Sequence, residues 1–246
     1  MMSGQVRVGR RIYDKNTGSW VDPSFEGFTP IVVMTACSQY TSLSPFILKD
    51  ENGVNMENHW QSSKVYETVP DVVQHYSRWD RTVIWKHKSE RHANKTEKGW
   101  SITPAYLKWR AKLRACQYAV RYPVGYHHRH KCLFALADTD DGKISPKPLD
   151  YISSRKAIYA PVYRKLVQSE KQFTELLDRL TQGENLLIIE VDGPHEESLD
   201  HYKELYDVSD DFIVNDTMLC TEENLSIMLN DEKHAYGHGY LSLIHI

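Results

Sequence analysis

Residues 161–194 read PVYRKLVQSEKQFTELLDRLTQGENLLIIEVDGP, and their pattern sets the fold class. Leu166, Phe173, Leu176, Leu177 and Leu180 recur at three- and four-residue spacing, which predicts an amphipathic helix over 161–181. Gly183 stands where such a helix ends, because glycine enters the left-handed cap conformation without a Cβ clash. Leu186-Leu187-Ile188-Ile189 is then a continuous apolar run, the mark of a strand covered on both faces. Asp192-Gly193-Pro194 turns the chain away from that strand.

Working outward from this helix and strand, the other segments show no regular strand–helix–strand alternation. The expected class is therefore α+β: a helix-rich single domain with a small sheet. Towards the N-terminus, Val6, Val8, Ile12 and Tyr13, the turn Lys15-Asn16-Thr17-Gly18, then Trp20 and Val21 predict a hairpin over 5–21. Ile31–Met34 and Phe46–Leu48 read as short strands. A helix is predicted from about Asn55 to just before Pro70, and another from Asp71 with Val72, Val73, Tyr76 and Trp79 in its apolar set. Ser101 or Thr103 caps a further helix with Pro104 in its first turn, and Leu107, Leu113, Cys116 and Val120 are expected on its buried side. The polar segments 86–100 and 138–147 read as loops. A last helix is expected over 221–229.

Composition narrows the function classes. The chain has 246 residues, 41% hydrophobic and 26% charged, enough to bury a core. Lys plus Arg (30) nearly balance Asp plus Glu (33), so a general electrostatic grip on nucleic acid or membrane is not expected. Cys37, Cys116, Cys132 and Cys220 are scattered with no CxxC spacing, which speaks against a zinc ribbon or a disulfide framework and suits a reducing, cytoplasmic setting. The opening MMSGQVRVGRRIYDK lacks the apolar core of a signal peptide, and no run of eighteen apolar residues predicts a membrane span. The last six residues, LSLIHI, resemble a translated sequencing adapter. The expectation is that the natural chain departs from this sequence after about Tyr240.

The segment Glu57-Asn58-His59-Trp60-Gln61-Ser62-Ser63-Lys64 carries the chemistry. Read as a helix, it puts Glu57, Gln61 and Lys64 at i, i+4 and i+7 on one face. A carboxylate, an amide and an ammonium pointing together suit a polar ligand, whereas on spacing alone such a face is more often simply solvated. Trp60 beside them either stacks on a base or fills the core.

Taken with Leu43-Ser44-Pro45-Phe46 just upstream, the motif Glu57-x-x-x-Gln61-x-x-Lys64 resembles the N-terminal signature of the NADAR/YbiA-like N-glycosidase superfamily. The resemblance covers roughly residues 31–68. Further on, Asn215-Asp216 matches an acidic step and Gly239-Tyr240 a closing step, but no tryptophan follows Trp109, so the family's late aromatic is missing. The resemblance implies a YbiA-like domain over 31–240 with residues 1–30 as a hairpin extension. It implies hydrolysis of the N-glycosidic bond of a ribosylated or ADP-ribosylated base or related nucleotide, with no metal or redox cofactor. Glu57 is then the catalytic carboxylate, assisted by Asp216, and Ser44, Phe46, Trp60, Gln61, Lys64 and Gly239 contribute to substrate binding.

Other constellations leave alternatives open. Arg121-Tyr122-Pro123-Val124-Gly125-Tyr126-His127-His128-Arg129-His130-Lys131 is basic and aromatic, so Arg121 and Tyr126 are candidates for holding a phosphate and stacking on a base, and the bland reading is a surface segment. His128 and His130 have His-x-His spacing but no convincing third ligand, so no metal is expected there. Glu190 and Asp192 share a strand face and are candidates for a second acid or base, or a polar turn. Asp138–Gly142 fails the calcium-loop register, because Ala137 would fall at position one. No nucleophile elbow, dinucleotide or P-loop motif is present. Besides the glycosidase, the sequence admits a non-catalytic nucleotide or ADP-ribose-binding protein, and a nucleic-acid-modifying protein that uses the 121–131 patch.

Overall fold

The computed structural model describes residues 4–34, 39–70, 83–85, 89–121, 130–234 and 237–238. Its strands and helices are, in chain order, β1 Val6–Arg10, β2 Ile12–Asp14, β3 Ser19–Val21, β4 Thr29–Val32, α1 Met56–Gln61, β5 Lys64–Tyr66, β6 Val83–Trp85, β7 Ala93–Thr96, β8 Gly99–Ile102, α2 Pro104–Arg114, β9 Ala119–Arg121, β10 Cys132–Ala135, α3 Tyr151–Ser154, α4 Ala160–Val167, α5 Lys171–Thr181, β11 Leu186–Glu190, α6 Leu199–Tyr206, β12 Thr217–Leu219 and α7 Glu222–Asn230. The chain is mixed α+β and divides into two compact units, Met1–Ser44 with Val167–Ile246, and Pro45–Leu166. This division does not follow the 30/31 boundary expected from the sequence.

In the first unit a four-stranded sheet runs β12-β1-β11-β4. β11 lies between β1 and β4, parallel to both, with Ile188 opposite Val8 and Ile31. That central place explains its unbroken apolar run, and all five of its residues are buried. β12 pairs antiparallel with β1. Phe173, Leu176 and Leu180 of α5 are buried, as the helical period requires. Val6 and Val8 thus belong to the main sheet and not to the first arm of a hairpin. The hairpin is confined to β2 and β3, with Gly18 at φ +69° in its turn. Two helices replace the single one expected over 161–181, because Glu170 adopts an extended backbone (φ −79°, ψ 133°) at the head of α5. The apolar spacing continues across that break, which hides it from the sequence.

In the second unit, β5 pairs with β10, β6 lies parallel to β9, and β7 and β8 form a hairpin. Two apolar clusters support these pairs: Tyr66, Val69, Leu113 and Val120, and Val65, Ala93, Tyr106 and Leu136. The 86–100 segment is therefore not all loop. Its hairpin has mostly exposed side chains and closes on Gly99 at φ +117°, so its polarity masked the strands. Phe46–Leu48 forms no strand, and only the bridge Lys49–Asn55 follows it. On α2 the buried face is Tyr106, Arg110 and Leu113, while Leu107 is 45% exposed. The helix expected from Asp71 lies outside the described residues, as do residues 241–246. Among the described residues no helix is long and apolar enough to cross a membrane.

Candidate functional site

Asn55 caps α1. Its Oδ1 accepts the Glu57 N–H at 3.0 Å, and its Nδ2 donates to the carbonyls of Phe46 (2.7 Å) and Leu48 (3.3 Å). The Glu57 N–H also reaches the Pro45 carbonyl at 3.1 Å. The turn before the helix is thereby bound to its first residues, and half-buried Phe46 enters through its backbone. At its other side α1 is fastened to β9 by fully buried Asn58, which donates to the Cys116 and Tyr118 carbonyls (2.9 and 2.8 Å) and accepts the Val120 N–H (2.7 Å).

The helix stops at Gln61, so Lys64 is not one turn further along it, as expected, but opens β5. The cause is local. The Ser63 hydroxyl donates to the Trp60 carbonyl at 2.7 Å, an alternative to the next helical turn. The carbonyls of Ser62 and Ser63 are taken by the Tyr106 hydroxyl, the Arg110 guanidinium and the Leu136 N–H. Lys64 nevertheless meets the other two residues. Its Nζ donates to Gln61 Oε1 at 3.2 Å, and Gln61 Nε2 donates to Glu57 Oε1 at 2.6 Å. Ammonium, amide and carboxylate form one line of hydrogen bonds, with the amide dipole aligned between the two charges. Glu57 and Gln61 are each 5% exposed, which strengthens charge-assisted bonds relative to water.

Trp60 is also buried. Its ring lies edge-on to Tyr159 (5.6 Å) and Tyr151 (6.4 Å). Lys64 Nζ lies 4.7 Å and Arg155 Cζ 5.7 Å from its centroid, and Arg155 also lies 4.2 Å from the Tyr159 ring. Trp60 thus fills the interior and holds the Lys64 cation. No motif marks Tyr151, Tyr159 and Arg155 in the sequence, since they stand some ninety residues downstream, on α3 and the π-helical turn Arg155–Tyr159 that follows it.

Behind α1 lies a second polar network. Arg110 donates to the Leu136 carbonyl (2.9 Å) and pairs with Asp138, which also takes Arg114 at 2.7 Å. Arg114 Nη1 reaches His59 Nδ1 at 2.7 Å, and His59 Nε2 reaches Asp50 Oδ2 at 3.0 Å. Burial, with the Arg114 charge beside it, holds the His59 imidazole below its ordinary pKa.

Arg121 ends β9 directly after Val120, whose N–H binds Asn58. Ser44 belongs to the first unit, where it is buried and closes a 3-10 turn on Thr41 (3.1 Å). Asp216 is in that unit too. At φ +51° it sits in the turn before β12, and its Oδ1 takes His195 Nδ1 and the Glu196 N–H, both at 2.9 Å. Tyr126 and Gly239 lie outside the described residues. Glu190 is buried at the end of β11 with His238 Nδ1 3.4 Å from its Oε2, and Asp192 is exposed.

The first unit also gathers three residues that no sequence motif connects. His201 of α6, Asp231 after α7 and His234 place one ligand-type atom each within 4.8 Å of one another. Only Asp231-x-x-His234 offered a local signal, and His201 is thirty residues away in sequence. No protein-family model, curated protein or solved structure matches this chain. The class defined by the fold is a mixed α+β protein with two compact units.

Proposed function

We propose that this chain is an N-glycosidase acting on a ribosylated or ADP-ribosylated base or a related nucleotide, with Glu57 as its catalytic carboxylate. The observation that carries this assignment is the line Glu57–Gln61–Lys64, whose carboxylate and amide are buried, with Gln61 Nε2 2.6 Å from the carboxylate. The NADAR/YbiA-like resemblance over 31–68 supports it from the sequence side.

The chemistry suits these groups. As the C1′–N bond breaks, its electron pair leaves with the base and positive charge builds on the ribose ring. A fixed carboxylate stabilises that oxocarbenium-like state, and water then adds at C1′ with loss of a proton. Gln61 holds one carboxylate oxygen, which fixes the orientation of Glu57 without using a charge. Lys64, steadied over Trp60, supplies a cation beside the line and suits phosphate or ribose hydroxyls. The reaction calls for no redox cofactor.

The test is chromatography of released base and ribose products from NAD, ADP-ribose, ribosylaminopyrimidine phosphates and ADP-ribosylated guanine in DNA. Wild type is expected to release a base from at least one of them, and Glu57→Gln to slow that release by about 10²–10⁴-fold while keeping the fold. Activity undiminished in Glu57→Gln refutes the assignment. ADP-ribose binding without product, insensitive to this change, identifies a binding protein instead.

A further inference from the structure

We propose that His201, Asp231 and His234 form a binding site for one divalent first-row transition-metal ion, with zinc as the reference ion. All three residues belong to the first unit, so the site is independent of the Glu57 assignment. This site differs from the metal-type patterns visible in the sequence, His128-x-His130 and Asp138–Gly142.

The donor set is two imidazoles and one carboxylate, a borderline combination that suits zinc, cobalt, nickel or iron better than calcium or magnesium. His201 Nε2 lies 2.8 Å from Asp231 Oδ1, and His234 Nδ1 lies 2.8 Å from Asp231 Oδ2. The two imidazole rings meet edge to face at 4.8 Å. Ligands bound at about 2.0–2.2 Å in a tetrahedral site stand roughly 3.3–3.5 Å apart. An ion therefore enters by opening each 2.8 Å pair by about half an ångström and by drawing together the ligand atoms that now stand up to 4.8 Å apart, by side-chain rotation.

The surroundings resemble a prepared ligand shell. The Asp231 carboxylate is only 2% exposed and is oriented by groups that are not ligands. The backbone N–H of His234 donates to Oδ2 at 2.8 Å, and the hydroxyls of Tyr202 and Tyr206 stand 3.4 Å from Oδ2 and Oδ1. Such outer partners fix ligand direction and tune affinity. Asp231 already has these acceptor bonds, so two histidines converging on it exceed what a satisfied carboxylate needs.

A second observation is the space beside the cluster. A cavity of about 280 Å³, open to solvent, is lined by His201 and Asp231, together with Tyr206, Asn230, Glu232 and Lys233, but not by His234. Three protein ligands leave a tetrahedral ion one open position, and this cavity gives that position room for water or a small anionic ligand.

The experiment uses the full chain, stripped with chelator and dialysed. It is titrated with Zn²⁺ by calorimetry and with Co²⁺ by visible absorption. The expected result is one ion per chain, a Kd of about 1 μM or tighter, and the d–d bands of a low-coordinate cobalt site. His201→Gln and His234→Gln keep an amide donor for Asp231 but lose the imidazole ligand. Each is expected to weaken binding by at least about 100-fold with circular dichroism unchanged. Absence of saturable binding by wild type overturns the proposal. So does an affinity unchanged in both variants, which would assign the ion to other imidazoles such as His127, His128 and His130.

Discussion

Asn58→Ala tests how the Glu57 helix is held in place. Asn58 is fully buried, and its amide makes three bonds to the chain entering β9: to the Cys116 carbonyl at 2.9 Å, the Tyr118 carbonyl at 2.8 Å and the Val120 N–H at 2.7 Å. Alanine removes all three, and nothing of similar shape replaces the amide. At about 1 kcal/mol net for each bond, the loss is about 3 kcal/mol. The Cys116 carbonyl keeps a weaker donor, the Asn55 N–H at 3.4 Å, so the penalty is not larger still. Native-state hydrogen exchange is the direct assay, because it reads the opening of this region alone in a chain with two compact units. The Val120 amide is expected to exchange about a hundredfold faster, the rate equivalent of about 3 kcal/mol. Urea unfolding should lose a comparable free energy in the transition that includes this unit. Unchanged Val120 protection, with less than about 1 kcal/mol lost, would refute the claim that Asn58 fixes α1.

Arg110→Met is expected to destabilise the second unit by about 3 kcal/mol in urea unfolding. Arg110 is 4% exposed, and its loss strands the Leu136 carbonyl and part of Asp138, although Arg114 still pairs with that carboxylate. Stability is also expected to fall as pH drops from about 6.5, the ordinary histidine value. Burial lowers the pKa of His59 and of His92, so at such pH the unfolded chain binds more protons than the folded one, and stability rises with pH. Unfolding midpoints between pH 5 and 8 check this, and a flat profile, or one unchanged by substituting both histidines, would contradict it.

Much of the architecture was legible because its signals are local. The run Leu186–Ile189 announced a doubly covered strand, and all five residues of β11 are buried, so both of its faces are covered. Thr103 and Pro104 announced the start of α2, and Thr103 does cap it, accepting the Tyr106 N–H. What failed depended on distant partners. The end of α1 at Gln61 is fixed by Tyr106, Arg110 and Leu136, none of them visible from residues 57–64. Val6 and Val8 alternate as a hairpin arm does, yet their place is set by β11, far along the chain. The candidate site shows the same split. The four-residue spacing of Glu57 and Gln61 places them on one helix face, whereas Lys64 joins them from β5, and neither Tyr159 and Arg155 nor the convergence of His201 on Asp231 and His234 has a local signal.

The stability of Glu57→Gln separates a functional carboxylate from a structural one. A buried carboxylate and a neighbouring ammonium must be stripped of water, and that cost often exceeds the attraction regained inside the protein. If the line Glu57–Gln61–Lys64 existed to hold the fold, neutralising Glu57 would weaken the bond to Gln61 and leave the Lys64 cation less well compensated. Unfolding free energy would then fall together with activity. If the line exists to present a charge to substrate, the isosteric amide keeps a hydrogen-bond acceptor for Gln61 Nε2 and removes the buried charge. Stability should then be unchanged or raised while turnover is lost. The helix itself does not depend on the charge, because Asn55 and Asn58 hold it through its backbone and through β9. A stable, inactive Glu57→Gln therefore supports catalysis at this site, and a variant that loses stability and activity in proportion argues that Glu57 is part of the scaffold.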